Sequence, residues 1–132
     1  MKGIASATFK VKQWEETPCW GAEGEPRLTR ASVTYTYEGG LEGEGVVEYL
    51  MAYRPGGGAS FVGFERVTGR LAGREGSFVL RHTGIYDGGS VTDDWQVVEG
   101  AGTGELANLR GQCRFESGHA PSYQVALEYE LE

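Results

Sequence analysis

The chain has 132 residues, 22 of them glycine and four proline, with 39% apolar residues and a formal net charge of −7. That length allows one domain, residues 1–132, around one core, and the acidic balance lacks the basic footprint with which a nucleic-acid binder releases counterions. No run reaches the roughly 18 apolar residues of a membrane span, and no apolar stretch after Met1 reads as a secretory leader.

No apolar stripe at helical spacing persists for three turns, whereas alternation with a period of two recurs along the chain. The pattern predicts strands over 3–14, 28–38, 42–54, 59–71, 75–86, 90–98, 110–117 and 122–131. Between the first two, Glu15 to Pro26 carries four acids, two prolines and two glycines and reads as a long acidic loop. Thr103 to Leu109 reads as a single helical turn ahead of Gly111. Eight strands joined by consecutive hairpins predict an all-β fold, an eight-stranded antiparallel closed barrel of the up-and-down type. Closure removes exposed edges and encloses an interior that side chains or one small ligand fill.

The most informative hairpin runs from Phe61 to Gly84. Read as a two-residue type II′ loop, Gly73-Arg74 pairs Ala72 with Glu75. The same register sets Gly69 against Phe78, Val67 against Leu80, Glu65 against His82 and Gly63 against Gly84. The opposite face holds Arg66, Thr68, Arg70, Ser77, Val79 and Arg81, the wetter set, so the Glu65 face is expected to point inward. A carboxylate facing an imidazole is within hydrogen-bonding reach, and burial and ion pairing pull each pKa in opposite directions. Such a pair suits general acid–base chemistry, with His82 as proton shuttle and Glu65 as its partner or base. It suits equally a satisfied polar network that fixes strand register. The preceding hairpin admits two registers. A four-residue loop, Pro55 to Gly58, places Glu48 opposite Glu65 as a third catalytic candidate; a loop of three or five residues turns Tyr49, Met51 and Tyr53 inward instead.

Phe61, Val67, Phe78 and Leu80 flank the acid–imidazole pair, and Tyr86, Trp95 and Tyr129 complete the expected ligand-lining set. Trp95 serves barrel-end packing as readily as stacking. Asp87, Asp93 and Asp94 lack EF-hand spacing, and the glycines of Gly102 to Gly111 lack a P-loop lysine, so neither metal nor cofactor is assigned. Cys19 and Cys113 fall in no CxxC or zinc spacing and read as reduced thiols of a cytoplasmic protein. His119, just before Pro121, reads as a loop histidine.

Several runs carry a resemblance: Gly43-Glu44-Gly45 with Glu48-Tyr49-Leu50, Phe61 to Gly69, Gly76 to Gly84, and Gly102-Thr103-Gly104-Glu105-Leu106. Together they resemble a family of small bacterial proteins catalogued as a domain of unknown function and grouped with the allene oxide cyclase–like, calycin-like β-barrels. The resemblance covers nearly the whole chain and implies an eight-stranded antiparallel barrel. Glu48, Glu65, Arg66 and His82 match the family's recurring pattern, whereas Gly118-His119-Ala120-Pro121-Ser122-Tyr123 departs from a Gly-x-His-x-Tyr spacing seen in members. Cyclases of the wider superfamily hold a reactive substrate as a near-attack conformer in a dry cavity. The expected function is therefore binding of a small apolar organic ligand inside the barrel, with isomerisation or cyclisation as the enzymatic reading. The alternatives are a binding or storage protein without chemistry, and an interaction module with a solidly packed barrel. Pairing into a homodimer is compatible with the superfamily, and no interface is legible in the sequence.

Overall fold

The computed structural model describes residues 1–132 apart from Glu23 and His119, the latter the expected loop histidine, which thus lies outside the described residues. Its strands are β1 (Lys2–Trp20), β2 (Arg27–Gly39), β3 (Leu41–Tyr53), β4 (Ala59–Leu71), β5 (Arg74–Asp87), β6 (Ser90–Val97), β7 (Thr103–Gly104), β8 (Arg110–Ser117) and β9 (Tyr123–Glu130). All but the two-residue β7 follow one another round the ring in the order β4-β3-β2-β1-β9-β8-β6-β5, and β4–β5 pairing shuts it. The fold is a closed eight-stranded antiparallel barrel of up-and-down connectivity, and among the described residues there is no helix. Thr103 and Gly104 pair with β5 instead of starting a helical turn, and separate turns follow through Leu106 and Leu109.

Alternation fixes what faces inward. On β4, Ala59, Phe61, Gly63, Glu65 and Val67 are buried, while Ser60, Val62, Phe64, Arg66 and Thr68 between them are exposed. The two ends of the barrel differ. At one end Leu41, Leu71, Leu106, Leu109 and Leu131 pack into a floor with at most 2% of any of them exposed. Burying each contributes about 1.5–3 kcal/mol. At the other end strands finish in aromatic side chains, and Val11, Trp14 and Tyr86 remain 44%, 46% and 40% exposed around a mouth.

One expected register and one expected loop are corrected, and the open register of the β3–β4 hairpin is decided. The β4–β5 loop is Ala72-Gly73, with φ of 51° and 80°, so it is a type I′ turn rather than type II′ at Gly73-Arg74. Leu71 therefore pairs with Arg74, Val67 with Phe78, Glu65 with Leu80 and Gly63 with His82. The shift is two residues on one strand, which keeps every side chain on its expected face. Ser77, expected on the wet face, does point outward, but β7 covers it and Thr103 Oγ1 meets its hydroxyl at 2.6 Å. On β3, Tyr53 pairs with Ala59, leaving a five-residue loop. That odd number turns Tyr49 and Met51 inward and Glu48 outward, opposite Phe64. Lastly, residues 15–20 are no loop: β1 continues to Trp20 paired with β2, with register shifts between Val11 and Gln13 and between Pro18 and Trp20. Beyond Phe9, β1 is paired on its β2 side alone among the described residues, while β2 stays paired to β3.

One seam is much shorter than the rest. β8 meets β9 only at Arg110–Glu130, Gly111–Tyr129 and Gln112–Glu128. Towards the mouth, β8 stays paired to β6 and β9 to β1, but not to each other among the described residues.

Candidate functional site

Glycines make room for a diagonal line of polar groups across three neighbouring strands. His82 on β5 lies directly opposite Gly63 of β4 and Trp95 of β6, while Asp93 lies opposite Gly84. A side chain facing a glycine has no direct cross-strand neighbour, so it leans to the diagonal position. The vacated spaces are filled by rings: a Cβ on Gly63 would sit 2.8 Å from Tyr49 Cδ1, and one on Gly84 would sit 2.9 Å from Phe61 Cε1. A Cβ on Gly45 would sit 2.8 Å from Cδ of Glu65, so that glycine is the berth of the carboxyl group itself.

The result is a continuous hydrogen-bonded cluster. The His82 Nε2 lies 2.7 Å from Glu65 Oε1, and its Nδ1 lies 2.7 Å from Asp93 Oδ2. Tyr37 donates its hydroxyl to Glu65 Oε2 at 2.5 Å, and Trp95 donates Nε1–H to Asp93 Oδ2 at 2.8 Å. Glu65 and His82 are fully buried and Asp93 is 4% exposed. Burial opposes a charge on the imidazole, but the hydrogen bonds and charges of Asp93 and Glu65 prevail and push its pKa up to about 9. At neutral pH His82 is an imidazolium that donates both N–H groups. Neither ring nitrogen then has a lone pair for a metal, and among the described residues no group of three or more His, Cys, Asp or Glu is arranged to hold one.

Above this cluster the mouth opens into a cavity of about 450 Å³. Its wall is aromatic, from Phe9, Tyr35, Tyr49, Phe61, Trp95, Phe115 and Tyr123, with Trp14 and Tyr86 at the rim. Tyr35 and Tyr49 join hydroxyls at 2.9 Å, and burial, reinforced by the Glu65 and Asp93 charges, raises both phenols above their ordinary pKa. Asp93 is the one acidic residue in this lining. Its Oδ2 accepts from His82 and Trp95, whereas Oδ1 is buried without a hydrogen-bond partner among the described residues. Buried acceptors of that kind are scarce in folded proteins.

The structure thus brings Glu65 and His82 together, on the diagonal rather than on one rung, and sets them behind the cavity wall. Phe61, Tyr86 and Trp95 line the cavity; Val67, Phe78 and Leu80 are core residues outside its lining, and Tyr129 packs against Gly3 on β1, also outside it. Glu48 is not brought to the others. It stands on the outer face, 2.5 Å from Arg30, and hydrogen bonds from Ser32 and Arg30 hold its carboxyl below the ordinary range. Glu48→Gln is expected to change stability by about 0.5 kcal/mol or less in chemical denaturation and to leave the cavity unaltered. Burial raises the Cys113 thiol, which is no activated nucleophile. Asp93 is the residue that sequence reasoning missed. The alternation of Asp93, Trp95 and Val97 against Asp94 and Gln96 was the available signal.

The chain is thus a closed eight-stranded barrel whose aromatic mouth ends on one acidic wall residue. Residues 5–129 match the family model described as "Protein of unknown function (DUF3224)", and the chain belongs to that family. The crystal structure of a DUF3224 protein of unknown function from Shewanella oneidensis MR-1 superposes with a TM-score of 0.79 at 29% identity, covering 100% of this chain and 99% of that one. Among curated proteins, none matches the chain. Among the described residues no helix is long and apolar enough to cross a membrane.

Proposed function

We propose that this chain is a cytoplasmic barrel that binds a small, largely apolar organic molecule in the mouth cavity. One observation carries the reading: an aromatic cavity of about 450 Å³ whose single acidic lining residue, Asp93, keeps a buried oxygen without a partner. That volume lies within the range of small-molecule sites, and the combination of apolar walls with a few placed polar atoms is their usual design. Asp93 makes the polar contact, while His82 and Glu65 are positioning residues that fix its orientation. The free thiols of Cys19 and Cys113 support a reducing compartment.

Catalysis of isomerisation or cyclisation is the second reading, favoured by the unbroken Asp93–His82–Glu65 chain, which would carry a proton from the cavity wall into the barrel. The likeness to allene oxide cyclase–like barrels in the sequence runs in the same direction, as analogy of fold. Native mass spectrometry of the protein purified from its own host tests the binding reading. A stoichiometric small molecule is expected, displaced in a Val91→Trp variant that fills the mouth. Its absence from the wild type, together with no uptake of apolar probes, would sink the proposal. Chromatography of the released molecule then separates storage, with one compound, from catalysis, with interconverting isomers.

A further inference from the structure

The polar floor of the cavity is unbalanced in both hydrogen bonds and charge. Among the described residues the buried polar and charged groups are Thr29, Glu65, Ser77, His82 and Asp93: two acids, one base, and neither lysine nor arginine. Both N–H groups of His82 are committed, one to each acid, so the only base in the interior has no donor left for Asp93 Oδ1. The group that completes this site must bring an N–H or O–H, and a positive charge on it would neutralise the acid in excess.

The walls make the same selection. Phe9, Tyr35, Tyr49, Phe61 and Trp95 surround the approach to Asp93. Aromatic rings attract cations electrostatically and repel anions, most strongly where water is excluded. Burial is the main cause of the raised phenols of Tyr35 and Tyr49, and the charges of Glu65 and Asp93 add to it. For an anion the lining offers no charged donor, and of its tyrosine hydroxyls Tyr35 and Tyr49 share one hydrogen bond and Tyr53 donates to Glu16. A neutral alcohol would satisfy Oδ1 and leave the charge unmatched.

We infer that the ligand is a small protonated amine with an apolar, preferably aromatic, body, which enters with its ammonium group foremost and donates to Asp93 Oδ1. This rests on the cavity being a binding site, and four probes with a common 2-phenylethyl body separate the two claims. Calorimetric or fluorescence titration of the wild-type protein compares 2-phenylethylammonium with uncharged propylbenzene, 2-phenylethanol and the anion 3-phenylpropanoate. The ammonium is expected to bind at least about tenfold more tightly than propylbenzene or 2-phenylethanol, and the anion not measurably. In Asp93→Asn the amide oxygen takes over the hydrogen bonds from His82 and Trp95, and the NH₂ occupies the place of Oδ1. There the preference for the ammonium should collapse to within about threefold, with propylbenzene affinity retained. Propylbenzene or 2-phenylethanol binding as tightly as the ammonium in the wild type overturns the inference and leaves the binding cavity standing. Failure of every probe to bind removes both.

Discussion

Replacing Glu65 by Leu is expected to destabilise the fold by roughly 3–5 kcal/mol, whereas Glu65→Gln should cost only about 1–2 kcal/mol. Leucine removes the acceptor of His82 Nε2–H and of the Tyr37 hydroxyl at once, with all three side chains buried. It leaves a charged imidazolium with one partner in place of two, and a phenol with none. Glutamine keeps an oxygen for the imidazolium, and the Tyr37 hydroxyl can turn to accept from the new amide. Marginal stabilities of about 5–15 kcal/mol make the first change large enough to show directly as a lowered denaturation midpoint. Equal losses in the two variants would mean that the carboxylate charge, which both remove, and not hydrogen bonding, governs the site.

Stability should fall as pH rises from about 6.5 to about 9. The folded pKa of His82, about 9, lies above the ordinary 6.5. A raised pKa contributes stability that is fully present below the unfolded value and is lost as pH climbs through the folded one. The size of the shift makes the contribution on the order of 3 kcal/mol. The loss is expected in urea midpoints measured across that window, and it should shrink in Glu65→Gln, where one of the two acids that hold the proton has gone. A flat profile through this window would show that the imidazole is neutral, and would remove the ion pair from the account of the fold.

The barrel was legible because eight strands announce themselves by alternation and by glycine-bearing turns, and closure is the simplest fate of that many consecutive hairpins. The inward face of Glu65 and His82 was legible for a related reason: the arginines of Arg66, Arg70 and Arg81 mark the other side. Their partner was not. Ala72-Gly73 and Gly73-Arg74 are both two-residue loops with a glycine, and only the positive φ of Ala72 distinguishes them, a conformation that an alanine seldom adopts. The β3 register was obscured by Val46, Leu50, Val62 and Phe64, exposed apolar residues on the outer faces of β3 and β4 that erase the contrast between sides. Asp93 escaped because acidic residues adjoin it at Asp94 and a short run of acids looks solvated. Its burial depends on Trp95 and His82, one of them two residues away and the other on the neighbouring strand.

The brief β8–β9 seam gives the barrel one stave fastened only at its base. Every other junction of the ring would have to surrender a long row of backbone bonds before the ring could expand, but here the upper halves of the two strands share no ladder pairs among the described residues. Any opening of the ring is therefore expected along this slit, on the side of Phe115 and Tyr123, and backbone hydrogen exchange should be fastest there.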